Sequence, residues 1–245
     1  MRPLSAAQLL DAWERGLSEP SYRRALPILA AAYPDSSPDT LAALSIGERD
    51  RRLLTLRQWT FGSQLASVAN CSGCGEPLEW MVNPADLHAV NESEPADDLV
   101  VEVDRYRVRF RLPNTLDLAS ISGGTRDPAS ARLLLLEKCI LSARLEDDDV
   151  STDKLPAAVT TEVAARMAGA DPQAAIEFDF SCPACGQNWQ ALFDIESFFW
   201  SEINAWAQRI FSEIHVLARA YGWTETHILG LSPWRRQVYL NLVGA

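Results

Sequence analysis

Two short stretches of the chain share one pattern: residues 70–77 read NCSGCGEP, and residues 181–188 read SCPACGQN. In each stretch two cysteines are separated by two residues, and a glycine follows the second cysteine directly. This spacing places two thiols on one tight turn, and glycine tolerates the left-handed backbone that such turns commonly need. The sequence therefore predicts two ligand-bearing turns in one fold.

The four cysteines of these turns, Cys71, Cys74, Cys182 and Cys185, match the ligand set of a structural zinc site. A tetrahedral Zn²⁺ bound by four thiolates has no open position for substrate or water, so we expect one structural ion per chain. Two alternatives remain: the cysteines are ordinary reduced thiols, or one pair is a redox-active Cys-x-x-Cys motif. A redox motif usually stands alone at a helix start, which does not fit two copies between predicted strands.

Strand-like residues surround both turns. Residues 65–70 and 78–82 flank the first pair of cysteines, and residues 174–180 and 189–195 flank the second. Strand, cysteine turn and strand is the pattern of half a zinc ribbon, so the sequence predicts a ribbon split into two halves. Because more than 100 residues separate the two pairs, a shared ion would clamp chain positions before and after the middle of the protein.

The predicted fold class is α+β and mainly helical, with the split zinc ribbon at its centre. The N- and C-terminal helices are expected to emerge from the same side region of the ribbon. Five segments follow: a helical arm (1–45), a helix with the first half of the ribbon (46–83), a β-hairpin and helical insertion (84–173), the second half (174–196) and C-terminal helices (197–245).

Apolar residues at three- and four-residue spacing predict helices over much of the chain. The predicted helices cover 6–17, 22–33, 46–59, 115–121, 128–145, 155–168, 195–221, 224–229 and 233–243. We expect helix 128–145 to be buried, because Leu133 to Leu136, Ile140 and Leu141 lie on it. The charged face of helix 46–59 is expected to be exposed to solvent.

The remaining segments predict a hairpin and loops. Residues 99–112 alternate polar with apolar side chains around Asp104-Arg105, which indicates a β-hairpin. Residues 84–98 are acidic and loop-like. The acidic run 146–149 lacks the ligand spacing and the glycine of a calcium-binding loop, so it is interpreted as a solvated loop. Gly123-Gly124-Thr125 resembles a turn between helices.

Composition and charge limit the function classes. The chain has 245 residues, 47% of them hydrophobic, and a net charge of −11. That charge disfavours a broad nucleic-acid-binding surface, because affinity for phosphates comes largely from lysine and arginine. The basic pair Arg235-Arg236 would be a weak local exception. With no apolar leader and no run of roughly 18 uncharged apolar residues, we expect a soluble protein made in the cytoplasm.

The sequence offers little for catalysis. It has no Gly-rich phosphate loop, no His-Glu-x-x-His and no Gly-x-Ser-x-Gly. The three histidines, His88, His215 and His227, are scattered, and we expect His215 to be packed or half-buried on its helix. The fifth cysteine, Cys139, lies among leucine and isoleucine and is expected to be a small buried hydrophobic residue. We therefore expect a protein that is not an enzyme.

The C-terminal third carries a distinctive run. Residues 217–231 read LARAYGWTETHILGL and are followed by Arg235-Arg236 and Tyr239-Leu240. Together with Thr60-Phe61-Gly62 before the first cysteine turn and with the second turn at Cys182 to Cys185, these motifs resemble the T4-type baseplate protein family of contractile phage tails and bacterial contractile injection systems. The resemblance covers most of residues 46–245.

The resemblance implies a structural part in a baseplate, either as a component of the particle or as an assembly factor. Its partners would be other baseplate or tail subunits, and the protein could become part of a phage-tail-like particle. Trp206, Trp223 and Trp234 would be interface anchors if they are exposed. An alternative of another class is a zinc-ribbon adaptor or regulator of nucleic-acid or transcription machinery, which the acidic charge disfavours.

Overall fold

The computed structural model describes residues 1–83, Leu87, 99–122 and 127–244, and it is α+β with more helix than strand. It divides into two compact units, one formed by Met1–Pro38 together with Ile195–Ala245 and the other by Asp39–Asp194. The predicted features at 84–98, apart from Leu87, and at Gly123-Gly124-Thr125 lie outside the described residues. Among the described residues, no helix combines the length and apolar character that crossing a membrane requires.

Each predicted helix has a counterpart with similar bounds among the described residues, except that the one expected at 128–145 is shorter. Their bounds are α1 (Ala6–Leu17), α2 (Ala25–Ala32), α3 (Pro38–Ala42), α4 (Ile46–Phe61), α5 (Thr115–Ser122), α6 (Pro128–Cys139), α7 (Ala157–Ala170), α8 (Ile195–Tyr221), α9 (Glu225–Gly230) and α10 (Pro233–Val243). The short helix α3 was not predicted. Its five residues give too little periodicity to be recognised.

The unit formed by the two ends of the chain is built on the long helix α8. Helix α1 begins at a capping box, in which the side chains of Ser5 and Gln8 each accept a backbone N–H bond. Across the unit, Trp13 Nε1 donates to Asn204 Oδ1 at 3.2 Å, and the buried Glu196 accepts from the backbone N–H of Ala25 at the start of α2. These contacts fix the N-terminal helices against α8, although the partners are 191 and 171 positions apart in the chain.

The C-terminal helices turn back on α8 at a glycine. Gly222 has φ +69°, so α8 ends at a residue in the left-handed conformation that glycine readily adopts. Behind this stop the rings of Tyr221, Trp223 and Tyr239 pack together with centroids 4.7 to 5.7 Å apart. Ile228, in the short helix α9 that follows, is fully buried.

The other unit includes α4, whose charged residues are exposed only in part. Arg51 is exposed as expected. Contrary to expectation, Arg49, Asp50 and Arg57 are all buried. Arg49 Nε donates to Asp50 Oδ1 at 2.8 Å, and Arg57 Nη1 donates to the carbonyl of Gly62 at 3.0 Å. Burial is tolerated because each charge has a partner, and such partners cannot be read from the spacing of residues along a helix.

A four-stranded antiparallel sheet forms the core of this unit. Its strands, in spatial order, are β3 (Leu99–Val103), β4 (Tyr106–Phe110), β5 (Ile140–Leu145) and β6 (Asp148–Asp149). The predicted hairpin turns at Asp104, which has φ +53°. Val108 and Phe110 are fully buried and pack with residues of α7 such as Val163.

Residues 128–145 were expected to form one buried helix, and this is wrong in two respects. Helix α6 ends at Cys139, and residues 140–145 form β5, which pairs with β4 in the register Val108↔Ala143. Leu133, Leu134 and Leu141, expected inside, are exposed, whereas Leu136 and Ile140 are buried as expected. A run rich in leucine and isoleucine is compatible with either a helix or a strand. Residues 140–145 form a strand because their backbone groups hydrogen-bond to the edge of β4 that β3 leaves unpaired. The acidic run that follows is exposed, but its residues Asp148–Asp149 form β6 rather than a loop.

Two separate two-stranded hairpins complete the unit. The first consists of β1 (Leu65–Asn70) and β2 (Pro77–Val82), and the second of β7 (Glu177–Ser181) and β8 (Asn188–Leu192). Both are antiparallel, with Asn70 opposite Pro77 and Ser181 opposite Asn188 next to the turns. The strands predicted on both sides of the cysteine turns are therefore present.

Candidate metal centre

The first cysteine turn closes the hairpin β1–β2. The backbone N–H of Cys71 donates to the carbonyl of Glu76 at 2.9 Å, and the N–H of Gly75 donates to the carbonyl of Cys71 at 2.9 Å. Gly75 has φ +77°, a conformation that a residue with a Cβ atom adopts only with strain. The glycine after the second cysteine is thus required by the backbone, as the sequence predicted.

The second turn repeats this geometry between β7 and β8. The N–H of Cys182 donates to the carbonyl of Gln187 at 2.8 Å, and the N–H of Gly186 donates to the carbonyl of Cys182 at 2.9 Å. Gly186 has φ +75°. The two turns are therefore the same local structure, built twice from sequences that share only the cysteines and the glycine.

The turns face each other, so that all four predicted cysteines meet. Every pair among the four Sγ atoms lies within 4.8 Å. Two of these distances join the two hairpins, with Cys71 Sγ 3.6 Å from Cys185 Sγ and Cys74 Sγ 3.6 Å from Cys182 Sγ. Sulfur atoms about 2.3 Å from a central zinc ion, at the corners of a tetrahedron, would be about 3.8 Å apart. The spacing fits four thiolates around one ion and is far longer than a disulfide bond.

The four thiols differ in environment. Cys71 and Cys182 are 4% and 2% exposed, whereas Cys74 and Cys185 are exposed at the tips of the turns. Each hairpin therefore contributes one inner and one outer sulfur. Such a set can enclose an ion on the inside while leaving it a path of entry from the solvent side.

Ionisation of the thiols shows what the cluster requires. Backbone hydrogen bonding, first from Cys74 and then from Gly73, lowers the pKa of Cys71 to about 6. A backbone bond with Glu76 also favours the thiolate of Cys74, but the neighbouring sulfurs raise the pKa of Cys74 to about 12. Close thiolates repel one another, so the cluster by itself does not favour four negative charges. A bound divalent cation would supply the compensating positive charge and displace the protons.

The four sulfur donors limit which metal ions the cluster could bind. Four thiolates in tetrahedral spacing suit zinc or an iron–sulfur cluster rather than magnesium or calcium, which prefer oxygen ligands. The residues present thus fit a zinc ion, whose role here would be to join the two hairpins.

The fifth cysteine lies apart from this centre. Cys139 is fully buried at the end of α6, as expected from its apolar neighbours. Burial raises its pKa to about 11, and the nearby carboxylate of Asp117 adds to this effect. Asp117 is held by Arg111, whose Nη1 and Nη2 atoms donate to its two oxygens at 2.6 and 2.7 Å. A neutral, enclosed thiol beside this ion pair is suited to packing, not to metal binding or nucleophilic attack.

Other residues singled out in the sequence are placed differently from expectation. Arg236 is buried, and its Nε donates to Glu213 Oε2 at 2.9 Å, so Arg235-Arg236 is not a free basic pair. His215 was expected to be packed, but it is exposed, as is His227. His88 lies outside the described residues. These positions offer no cluster that resembles a catalytic centre.

An aromatic cluster beside the cysteines was not foreseen as a unit. It contains Trp80, Phe178, Phe180, Trp189 and Phe193. The alternation of phenylalanine in β7 was a usable signal, since alternate strand positions share a face. That Trp80 from the other hairpin joins this face depends on tertiary structure.

Comparison with known proteins gives one finding. The sequence model of a family described as T4 bacteriophage base plate protein matches residues 24–200. The match begins before the expected start at residue 46 and includes both cysteine turns. It ends before residues 217–231, although that run contributed to the predicted resemblance. No curated protein and no solved structure matches the chain.

Proposed function

Because this chain belongs to the T4 bacteriophage base plate protein family, we propose that it is a non-enzymatic structural or assembly protein of the baseplate of a contractile, phage-tail-like injection system. The observation that carries the proposal is the match over residues 24–200. Family membership supports a structural role of the baseplate type, with tail or baseplate subunits as partners. Incorporation into a particle, or action during its assembly, follows from the same proposal.

For the cysteine cluster we propose a split zinc ribbon in which Cys71, Cys74, Cys182 and Cys185 hold one structural Zn²⁺. The tetrahedral spacing of the sulfurs and the two matching hairpins support this. The ion would then clamp the chain before and after residues 84–173, which we propose to be an insertion between the halves (46–83 and 174–196), with residues 1–45 and 197–245 as flanking helical segments. Its contribution is stability and shape, because four protein ligands leave no position for a reactant.

A candidate contact surface for partner subunits lies on α10. Trp234, Val238 and Leu242 are exposed at four-residue intervals, so they lie on one face of the helix. Trp234 is 75% exposed, whereas Trp206 and Trp223 are half-buried. Of the three tryptophans considered as interface anchors, Trp234 is thus the one that fits the role, since exposed tryptophan is enriched among residues that dominate binding.

Deletion of the gene in a cell that produces the particle tests the function. We expect electron microscopy to show particles that are absent or lack baseplates, with recovery when the wild-type gene is restored. Mass spectrometry of purified wild-type particles then distinguishes a retained component from an assembly factor that leaves. Normal, complete particles after deletion would contradict the proposed function.

Metal analysis of the purified protein tests the zinc site. We expect close to one zinc per chain, and close to none in Cys182→Ser. Cys139→Ala is the matched control, because it also removes a buried thiol but leaves the four-cysteine cluster intact. Wild-type protein without metal, or equal zinc content in both variants, would contradict the site.

A further inference from the structure

The aromatic cluster next to the cysteines is unevenly shared between the two hairpins. Four of its rings, Phe178, Phe180, Trp189 and Phe193, belong to the second hairpin or follow it directly. One ring, Trp80 in β2, belongs to the first. All five side chains are half-buried, so the cluster lies at the surface of its unit and not in the main core.

Trp80 connects the hairpins through three ring contacts. Its centroid lies 4.7 Å from that of Phe178, 6.0 Å from that of Phe180 and 6.1 Å from that of Phe193. The last two contacts are edge-on, with interplanar angles of 65° and 87°. Tilted and edge-on arrangements at these distances are the attractive geometries for aromatic pairs. By contrast, the described ring partner of Trp189 is Phe180, its cross-strand neighbour in the same hairpin.

The cluster is continuous with the cysteine site. Phe178 and Phe180 occupy alternate positions of β7, two residues apart, and Cys182 follows at the same interval. At the other end, a Cβ atom placed on Gly73 would lie 3.5 Å from the side chain of Gln187 and 3.6 Å from Sγ of Cys185. The hairpins thus meet at two places, through rings between the strands and through the turns.

We propose that Trp80 holds the two hairpins together without metal, so that the four thiols form a preorganised site before an ion binds. This inference rests on the proposed zinc site. Trp80 lies in β2, outside the cysteine turn. It is a positioning residue, which acts on the metal through the relative placement of the two cysteine pairs.

The physical reason is the wide separation of the ligand pairs. Cys74 and Cys182 are 108 positions apart in the chain. An ion that had to bring two independent hairpins together would spend part of its binding free energy on ordering them. Ring contacts that are already in place remove that cost, and metal affinity rises accordingly. The fold therefore makes the ion tighten an existing contact instead of creating it.

Zinc affinity, measured by competition with a chelator of known affinity, tests the inference. We expect Trp80→Leu to weaken zinc binding about tenfold or more, since it removes three aromatic contacts between the hairpins. Trp189→Leu is the matched control, with the same substitution in the same cluster but a ring partner within one hairpin. It should change the affinity much less. Trp80→Phe keeps a ring and should restore most of the affinity.

A second measurement needs no metal. The near-ultraviolet circular dichroism of chelator-treated wild-type protein should retain the signal of packed aromatic rings, and Trp80→Leu should lose much more of it than Trp189→Leu. Far-ultraviolet spectra of the variants check that their secondary structure is kept. A wild-type ring signal that appears only with zinc would overturn the inference, because the hairpins would then join only around the ion.

The outcomes separate this inference from the metal site itself. Wild-type protein that binds zinc, together with equal affinities for Trp80→Leu and Trp189→Leu, overturns the positioning role and leaves the metal site standing. Wild-type protein that binds no zinc overturns both. A selective loss of affinity in Trp80→Leu, at unchanged zinc content under saturating metal, supports the inference.

Discussion

The two compact units bury different kinds of side chain. One unit is formed by Met1–Pro38 and Ile195–Ala245, and the other by Asp39–Asp194. In the first, the buried side chains are almost all apolar, and Glu196 and Arg236 are the buried charged residues among those described. The second buries most of the polar and charged residues: Arg49, Asp50, Arg57, Asn114, Thr115, Asp117, Asp171 and Gln173. It also contains the four clustered cysteines.

Both units bring together segments that are distant in the chain. They differ in the interactions that hold those segments together. Apolar packing between long helices depends on shape and buried area, which change little with pH or metal. Ion pairs, buried carboxyls and thiolates depend on protons and on cations. We therefore expect the stability of the second unit to respond to solution conditions, while that of the first does not. Hydrogen exchange, measured separately on peptides from each unit, can follow both at once.

Removal of the metal should have the largest effect. Chelation, or Cys182→Ser, should lower the stability of the hairpins by about 4 kcal/mol when free zinc had exceeded its dissociation constant a thousandfold. Hydrogen exchange in residues 65–82 and 177–192 should become faster, while exchange in α8 stays the same. Equal acceleration in α8 would show that the two units do not differ in their dependence on metal.

The pH should have the next largest effect, through Asp50. Burial is the main cause that raises the pKa of Asp50 to about 6, against the attraction of Arg49. Because the folded pKa is raised, the folded state holds the proton more tightly than the unfolded chain. The resulting stability is present below pH 3.8, the ordinary value for Asp, and is lost as pH rises through about 6. A shift of this size corresponds to about 3 kcal/mol.

Denaturant unfolding of wild type and Asp50→Asn between pH 4 and pH 7 measures this contribution. The difference in unfolding free energy between the two proteins should change by up to about 3 kcal/mol over the range, in favour of wild type at low pH. A constant difference would mean that Asp50 keeps the same protonation in the folded and unfolded states. In that case the buried charges of this unit would not make it sensitive to pH.

Replacing a left-handed glycine in a cysteine turn should lower the stability of the protein by a moderate amount. Gly186→Ala places a Cβ atom on a residue with φ +75°, and this should cost about 1–2 kcal/mol although the surrounding space is open. Gly169→Ala is the control in the same unit: it lies in α7, also in open space, and should be neutral or stabilising by about 0.5–1 kcal/mol. Calorimetric melting of both variants checks the sign, and equal effects would contradict the role of the left-handed turn.

Removing one buried methylene group from the unit built on α8 should have the smallest effect on stability. That effect should also depend least on zinc and pH. Ile203 is fully buried in α8, and Ile203→Val removes one methylene group at a cost of about 1 kcal/mol. The cost should be the same with and without zinc and at pH 5 and pH 7, as measured by hydrogen exchange in α8. A cost that changed with zinc would show that the apolar unit also depends on the metal.

The parts that sequence reasoning predicted are those with strong local signals. The long helix α8 begins at Ile195 and ends at Tyr221 as expected, because its apolar period is long and Gly222 provides a stop. The cysteine turns followed from residue spacing and the glycine requirement. At residues 140–145 the local signal was ambiguous, and pairing with β4 decided the structure.

The sequence by itself determined the four ligand candidates, the left-handed glycines that shape their turns and the family to which the chain belongs. Each depends on residues close together in the chain or on a pattern shared with relatives. Tertiary structure decided that Arg49 and Asp50 are buried, that residues 140–145 form a strand, and that Trp80 meets Phe178 across the two hairpins. The physical reason is that these outcomes depend on partners far away in the chain, and the side-chain period of one segment contains no information about such partners.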